Sequence, residues 1–484
     1  MATYKHGVYA SEQATSMSAP ITGTAGLQVI VGTAPVNQLA DPAAAVNVPL
    51  LVHNYKEAVA AVGYDKDFEK YTLCEAISAN FSVVGTGPLV LINVLDPEKH
   101  SDSISSTTVQ VNGGVAVLDA AGVLPDTLNV QTDGAAKLTK DTDYTVTFND
   151  DGTISIVLIA GGAGAQATSL TVTGKKIDPS KVTAADIVGG VNSSTGKETG
   201  LEVVRQVYPK LSMTPGILTA PRFSEDATVA AALQAKTHEI NGVFGAVCIV
   251  DIKTGSGGAS KYTDVKTVKE AQAVSSANAY AVWPYAKVGD VVYSGSTMAA
   301  ALTAYTDAVN DDTPNVSPSN KALAISGACL PDGTDVLLDQ EQANTLNGVG
   351  VATFLNMNGF RLWGNNTAAY PGTSDPKDRW FSVRRFMTWA ANSFILTYFS
   401  RVDSPANRRL IEAIVDSENV RGNGFVARGV CARYEIVFNE DENPTTDLLN
   451  GKLTFHQYIT PYTPAENIED IIEFDPNALT AALN

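Results

Sequence analysis

Histidine, cysteine and charge are scarce in this chain. Its 484 residues include 5 His and 4 Cys, and 17% are charged. The cysteines, Cys74, Cys248, Cys329 and Cys431, stand far apart with no CxxC pair. That spacing excludes a local zinc site or a disulfide frame and leaves buried free thiols. The histidines are scattered without HExxH spacing, and no GxSxG elbow is present. The glycine-rich stretches fail as nucleotide loops. Gly348-Val-Gly350 lacks a third glycine, Gly422-Asn-Gly424 finds its next glycine only at Gly429, and Thr254 to Lys261 has a lysine without GxxxxGK[ST]. Acidic pairs such as Asp150-Asp151 and Asp311-Asp312 sit in turn-rich sequence and read as solvated loops. No apolar run approaches the roughly 18–20 residues that span a bilayer, so no membrane insertion is expected. The first residues lack an apolar h-region, so no signal peptide is expected either. The net charge of −18 excludes wrapping nucleic acid, which needs a basic surface. With no cofactor motif, the chain reads as a non-enzyme with no cofactor and no metal.

What is present is ordinary globular material, 44% apolar. Residues 27–34 and 89–95 are apolar, β-branched runs that predict buried strands, with helical spacing at 54–62 and 68–84 between them. Residues 101–200 differ from the rest. The chain has 4 Trp, 17 Tyr and 15 Phe, yet only Tyr144 and Phe148 fall in this hundred, which also lacks Arg, Cys, His, Met and Trp. Strand, turn and strand signals at 144–148, 149–152 and 153–157 predict a hairpin in a small all-β insert. From about 199 strands and helices alternate: helices at 202–211, 226–241, 264–277 and 296–309, and strands at 216–219, 246–251 and 280–284. That alternation predicts a largely parallel sheet.

The last third changes character. Asp375-Pro376 predicts a helix start, with the helix running to about 399. Ser404-Pro405 predicts a second start, ended by Arg421-Gly-Asn-Gly424. Strands are expected at 426–438 and 452–460, the second with Leu453, Phe455, Gln457 and Ile459 on one face. Pro461 and Pro464 then break the strand. An acidic tail follows with an apolar spine, Ile468, Ile471, Ile472 and Phe474, whose spacing suits a helix turn or a strand. Residues 1–20 read as an extended arm or a disordered tail. Arginine is the informative residue. Only Arg205 and Arg222 precede residue 361, and ten more lie in 361–433. Internal ion pairs such as Arg408 with Glu412 account for some. The sharper reading is a surface that meets an acidic partner.

Three stretches together resemble the contractile tail sheath proteins of phages, contractile bacteriocins and related injection systems. They are Asn347-Gly-Val-Gly-Val through Gly359-Phe-Arg-Leu-Trp-Gly-Asn-Asn-Thr367, Arg379-Trp-Phe-Ser-Val-Arg-Arg385, and Gly451-Lys-Leu-Thr-Phe-His-Gln-Tyr through Ile471-Ile-Glu-Phe474. The opening Gly7-Val-Tyr-Ala-Ser-Glu is similar too, and the likeness covers 20–98 and 200–484. It implies an α/β (α+β overall) fold: an N-terminal arm (1–20), a discontinuous α/β host domain (21–98 with 201–345), an inserted β-rich peripheral domain (99–200), a C-terminal tube-proximal domain (346–461) and a C-terminal arm (462–484).

It also implies a structural subunit that assembles in the cytoplasm of a bacterial host and ends in a phage tail or a released particle. Hexameric rings would stack helically around a tail tube protein, bounded by baseplate and terminator proteins. Arms carrying Tyr4, Gly7, Val8 and Tyr9 at one end and Ile468, Ile471, Ile472 and Phe474 at the other would add strands to a neighbour's sheet at Ala432, Tyr434, Ile436, Leu453, Phe455 and Gln457. The tube-facing candidates are Arg384, Arg385, Arg408 and Arg409. The competing readings are another polymerising tail component, or an α/β enzyme with an unrecognised site.

Overall fold

A computed structural model describes residues 23–483. The candidate arm residues Tyr4, Gly7, Val8 and Tyr9 lie outside the described residues. Elements used below are β1 (Gln28–Gly32), β2 (Leu50–Val52), α1 (Tyr55–Val62), α2 (Thr72–Ile77), β3 (Leu89–Asn93), β4 (Ile217–Thr219), α3 (Ala227–Lys236), β5 (Val247–Asp251), α4 (Val265–Ala271), β6 (Ala279–Val282), α5 (Gly295–Ala308), β7 (Val351–Asn356), β8 (Phe360–Trp363), α6 (Pro376–Arg379), α7 (Phe381–Tyr398), α8 (Arg408–Ala427), β9 (Cys431–Val437), β10 (His456–Pro461) and α9 (Pro476–Leu483).

Helices and strands mix as expected for an α/β chain. An eight-stranded sheet runs in the order β2-β3-β1-β4-β5-β6-β7-β8. The six inner strands pair in parallel. The two outermost pairs, β2–β3 and β7–β8, are antiparallel. Every residue of β1, β3, β4, β5 and β6 is buried. That is why these strands read as continuous apolar runs rather than alternating ones. Helix α5 is buried along almost its whole length, and its alanines let the sheet approach closely.

Residues 101–177 form two further sheets, a four-stranded and a three-stranded one. They enclose a hydrophobic cluster of their own, including Ile104, Leu118, Val130, Tyr144, Ile156 and Leu170. The hairpin at 144–158 has the anticipated form, with Tyr144–Phe148 antiparallel to Ile154–Leu158 and Gly152 in the turn at φ +79°.

The C-terminal third departs from the sequence reading in several places. Residues 351–363, expected in a C-terminal unit starting at 346, pair instead with the large sheet through Ala281 and Val282. The helix expected from 376 to 399 is two helices broken at Trp380, whose backbone is extended. The cause is Thr367, whose N–H donates to Arg379 O (2.7 Å) and whose hydroxyl donates to Asp378 O (2.5 Å). Those carbonyls are therefore taken by a loop rather than by the next helical turn.

Helix α8 starts at Arg408, capped by Asn407, rather than at Ser404. It also runs straight through Arg421-Gly-Asn-Gly424. Gly422 sits there for packing: a Cβ at that position would lie 2.2 Å from Tyr434 O. Gly429, at φ +71°, follows the true end.

The first hairpin strand is Cys431–Val437, shorter than 426–438 because the helix occupies its beginning. The second begins at His456 rather than at 452. Asn443 pairs with both backbone groups of Thr454 (2.7 and 2.8 Å), so residues before 456 bond to a side chain and not to β9. All four cysteines are buried and free. Burial pushes the Cys74 and Cys248 thiols up to about 12. Among the described residues no helix is long and apolar enough to cross a membrane.

Candidate assembly surface

Helix α7 is the anchor of the C-terminal region. Arg385 and Asp307 of α5 form a buried, two-pronged ion pair, and the same guanidinium reaches Ala25 O (3.2 Å). Burial pushes the Asp307 carboxyl upward, and the guanidinium facing it opposes that shift. Arg385 is 3% exposed. Contrary to the sequence expectation it does not face outward to a tube, because its charge is matched against α5. One turn further on, Trp389 Nε1 donates to Gly23 O (2.8 Å), and Gly23 N donates to Ser393 Oγ (2.9 Å). The start of the described chain is thus fastened along α7.

The other arginines sort by the same measure. Arg384 pairs with Asp378 at 3.2 Å and is partly buried. Arg408 pairs with Glu412 at 2.7 Å on an open surface. Arg409 is exposed and has no ion-pair partner among the described residues. Arg379, Arg421, Arg428 and Arg433 pair with Glu466, Glu418, Asp311 and Glu435. Most of the arginine-rich window is therefore matched within the chain, and Arg408 and Arg409 lie on its exposed part.

Against α7 and α8 lies the β9–β10 hairpin. Phe386, Trp389, Phe425, Val430, Cys431 and Tyr434 form a small core between them. Beside it the buried Glu418 carboxylate accepts from Tyr434 OH (2.7 Å), Tyr398 OH (3.1 Å) and Gln457 Nε2 (3.2 Å), tying both strands to the helix. Of the six acceptor candidates, Tyr434 and Ile436 face inward. Ala432 is exposed, because the register shifts between Cys431 and Arg433. A bulge of one residue moves the side chain to the opposite face. Phe455 and Leu453 precede β10 instead of lying within it, and Phe455 packs on Phe394 and Phe438.

The two edges of the hairpin are unequal. On β9, Asn419 of α8 accepts from Ile436 N (2.8 Å) and donates to Ile436 O (3.0 Å), so a side-chain amide takes the place of a neighbouring strand. Because Ile436 directs its backbone groups outward, its ladder partner Gln457 does so as well, and by alternation so does Ile459. No strand among the described residues pairs with that side of β10. Sequence reasoning found the hairpin but missed Asn419, since one helical asparagine carries no signal of what it will bond.

Past Pro461 the chain is irregular up to α9, which begins at Pro476, so the tail at 468–474 is neither of the two forms its spacing suits. Among the described residues nothing covers the spine: Ile468, Ile471, Ile472 and Phe474 are 74–89% exposed.

Elsewhere, the crevice at the carboxyl ends of β4 and β5 is filled by the chain itself. Glu75 pairs with Arg222 (2.6 Å) and accepts from Ser294 N (2.7 Å). Asp251 accepts from Ser224 and Ser296. Burial, and then the neighbouring Asp251, push Glu225 up to about 7. A cavity of about 590 Å³ opens between the loop at 37–43 and the β-rich insert, with Leu39, Pro125 and Phe148 in its wall.

Comparison with known proteins gives these features their context. The tail sheath protein of Burkholderia phage BcepMu is 28% identical over 491 aligned residues, covering 96% of each chain. The chain is similar to tail sheath proteins along nearly its whole length. A prophage major tail sheath protein from Pseudomonas aeruginosa, so named provisionally, is 26% identical over 79% of this chain and 98% of its own. The fold matches the sheath of an extracellular contractile injection system, PVC, in its contracted state, with a TM-score of 0.58, 14% identity and 99% of both chains covered. No family model matches the chain. The sequence likeness is thus to tail sheath proteins, and the fold is that of a contractile sheath structure.

Proposed function

We propose that this tail sheath relative polymerises as helically stacked hexameric rings around an inner tail tube, and contracts to drive the tube through a target cell envelope. One observation carries the reading. A strand edge at β10 and an exposed apolar arm, neither with a partner among the described residues, occur in the same region of one chain. An open edge recruits an extended segment, and a self-complementary pair of this kind placed head to tail generates an open polymer.

The C-terminal arm, through Ile468, Ile471, Ile472 and Phe474, is the donor to a neighbour. The N-terminal arm, with Tyr4, Gly7, Val8 and Tyr9, is a second donor, and Gly23 fixes its root to α7. The hairpin and α8 form the unit nearest the tube, with Arg408 and Arg409 offered to an acidic tube surface, and residues 99–200 form a peripheral domain. Baseplate and terminator proteins bound the polymer, which assembles in the host cytoplasm and leaves as part of a tail. Contraction needs no nucleotide, because its energy comes from new interfaces that form between subunits in the shortened lattice.

Deleting residues 462–484 tests this. The expected outcome is a folded monomer that forms no tubes by electron microscopy, whereas striated hollow tubes from the truncated chain would overturn strand exchange.

A further inference from the structure

Between β10 and the exposed spine, the arm crosses a site built before it arrives. The Arg379 guanidinium lies 4.0 Å from the Trp380 ring centroid and 4.6 Å from that of Tyr370. Its Nε donates to Asn366 Oδ1 (3.0 Å). Asn366 is buried and is itself held by donating to Asn347 O (3.1 Å). Two rings and one amide therefore fix the plane of the guanidinium. The fork that remains points at the arm, where Nη2 donates to Glu466 Oε2 (2.8 Å). Alongside runs a polar groove of about 550 Å³ with Asn320, Gln340 and Asn344 on one wall and Pro464 and Asn467 of the arm on the other. Ile468, the next residue, is 87% exposed.

We infer that this groove is a clasp for a carboxylate on an extended segment, occupied by the root of the chain's own C-terminal arm, and that it directs the spine outward to a neighbour. The inference rests on the arm being a strand donor. A free arm leaving β10 at Pro461 is tethered beside its own bare edge, where the local concentration favours pairing in cis. The clasp holds residues 464–467 in the groove instead. It also removes part of the ordering cost that a loose arm brings to every assembly contact. Arginine suits the position and lysine does not, because stacking and a directed fork both need a planar cation. Arg379 is thus a positioning residue for assembly.

The full-length chain allows a direct test. All four native cysteines are buried, so a spin label attached at Ile468→Cys reports on the arm alone. In the dilute monomer the label is expected to be restricted. Glu466→Gln should raise its mobile fraction roughly three- to fivefold, the scale of a partly exposed charge pair. Arg379→Gln should do the same, and the double variant no more than either single one. Unlabelled Glu466→Gln protein should need a several-fold higher concentration to form tubes, and Arg379→Lys should not restore the parent behaviour. Equal label mobility in Glu466→Gln and the parent would overturn the clasp. If the 462–484 deletion still polymerises, strand donation falls and the clasp with it. If that deletion blocks assembly while mobility stays unchanged, the clasp alone falls.

Discussion

The large sheet and the C-terminal hairpin solve the same problem in opposite ways. Both are built from strands whose edges must be satisfied. The sheet is finished at its centre: its six inner strands have partners on both sides, and its crevice is filled by Glu75, Arg222 and Asp251. The hairpin has only two strands, and a two-stranded ribbon is marginal alone. It is held by α7 and α8 on one face and by Asn419 on one edge, and no strand among the described residues covers its other edge. The difference teaches where stability ends and assembly begins. One region is finished within a chain, and the other keeps an edge on which the proposed strand exchange would act.

Three variants would break or sharpen that contrast. The largest effect is expected from Ile459→Pro, which removes an outward N–H of β10 without touching a ladder hydrogen bond. It should abolish tube formation in sedimentation assays while the monomer's circular dichroism persists; tubes at parent concentrations would show that this edge is not used. Arg385→Ala acts on the junction between the regions. It leaves Asp307 buried without its counter-ion and should cost roughly 3–5 kcal/mol of unfolding free energy in a urea titration.

Smaller still is the effect of pH on the sheet's own crevice. Glu225 lies higher when folded, at about 7, than its usual 4.5. A raised carboxyl pKa favours the fold fully below 4.5, and that contribution is lost as pH rises through 7, about 3 kcal/mol in all. Glu225→Gln should flatten that part of the stability–pH curve, and an unchanged slope would assign it to other groups.

Much of the sheet was legible because its signal is local. Buried parallel strands are runs such as Val247–Asp251, and the helices between them have their own period. The hairpin was legible in outline only. The break at Trp380 is made by Thr367, the persistence of α8 by the space beside Tyr434, and the exposure of Ala432 by a bulge. Each depends on residues distant in sequence, so no window of neighbours contains the cause. The arginine cluster misled for the same reason: Arg385 looks like its neighbour Arg384 until Asp307, on another helix, is placed against it.

The sequence by itself determined the fold class of this protein and its likeness to tail sheath proteins. Apolar periodicity, the aromatic-poor insert, the missing catalytic motifs and the Gly-Phe-Arg-Leu-Trp-Gly-Asn-Asn-Thr stretch all follow from residue order, because they are properties of neighbours. Only the tertiary structure decided which groups remain unsatisfied. Whether a backbone edge, a guanidinium or an isoleucine has a partner depends on what the rest of the chain brings to it, and those remainders are what another copy can use.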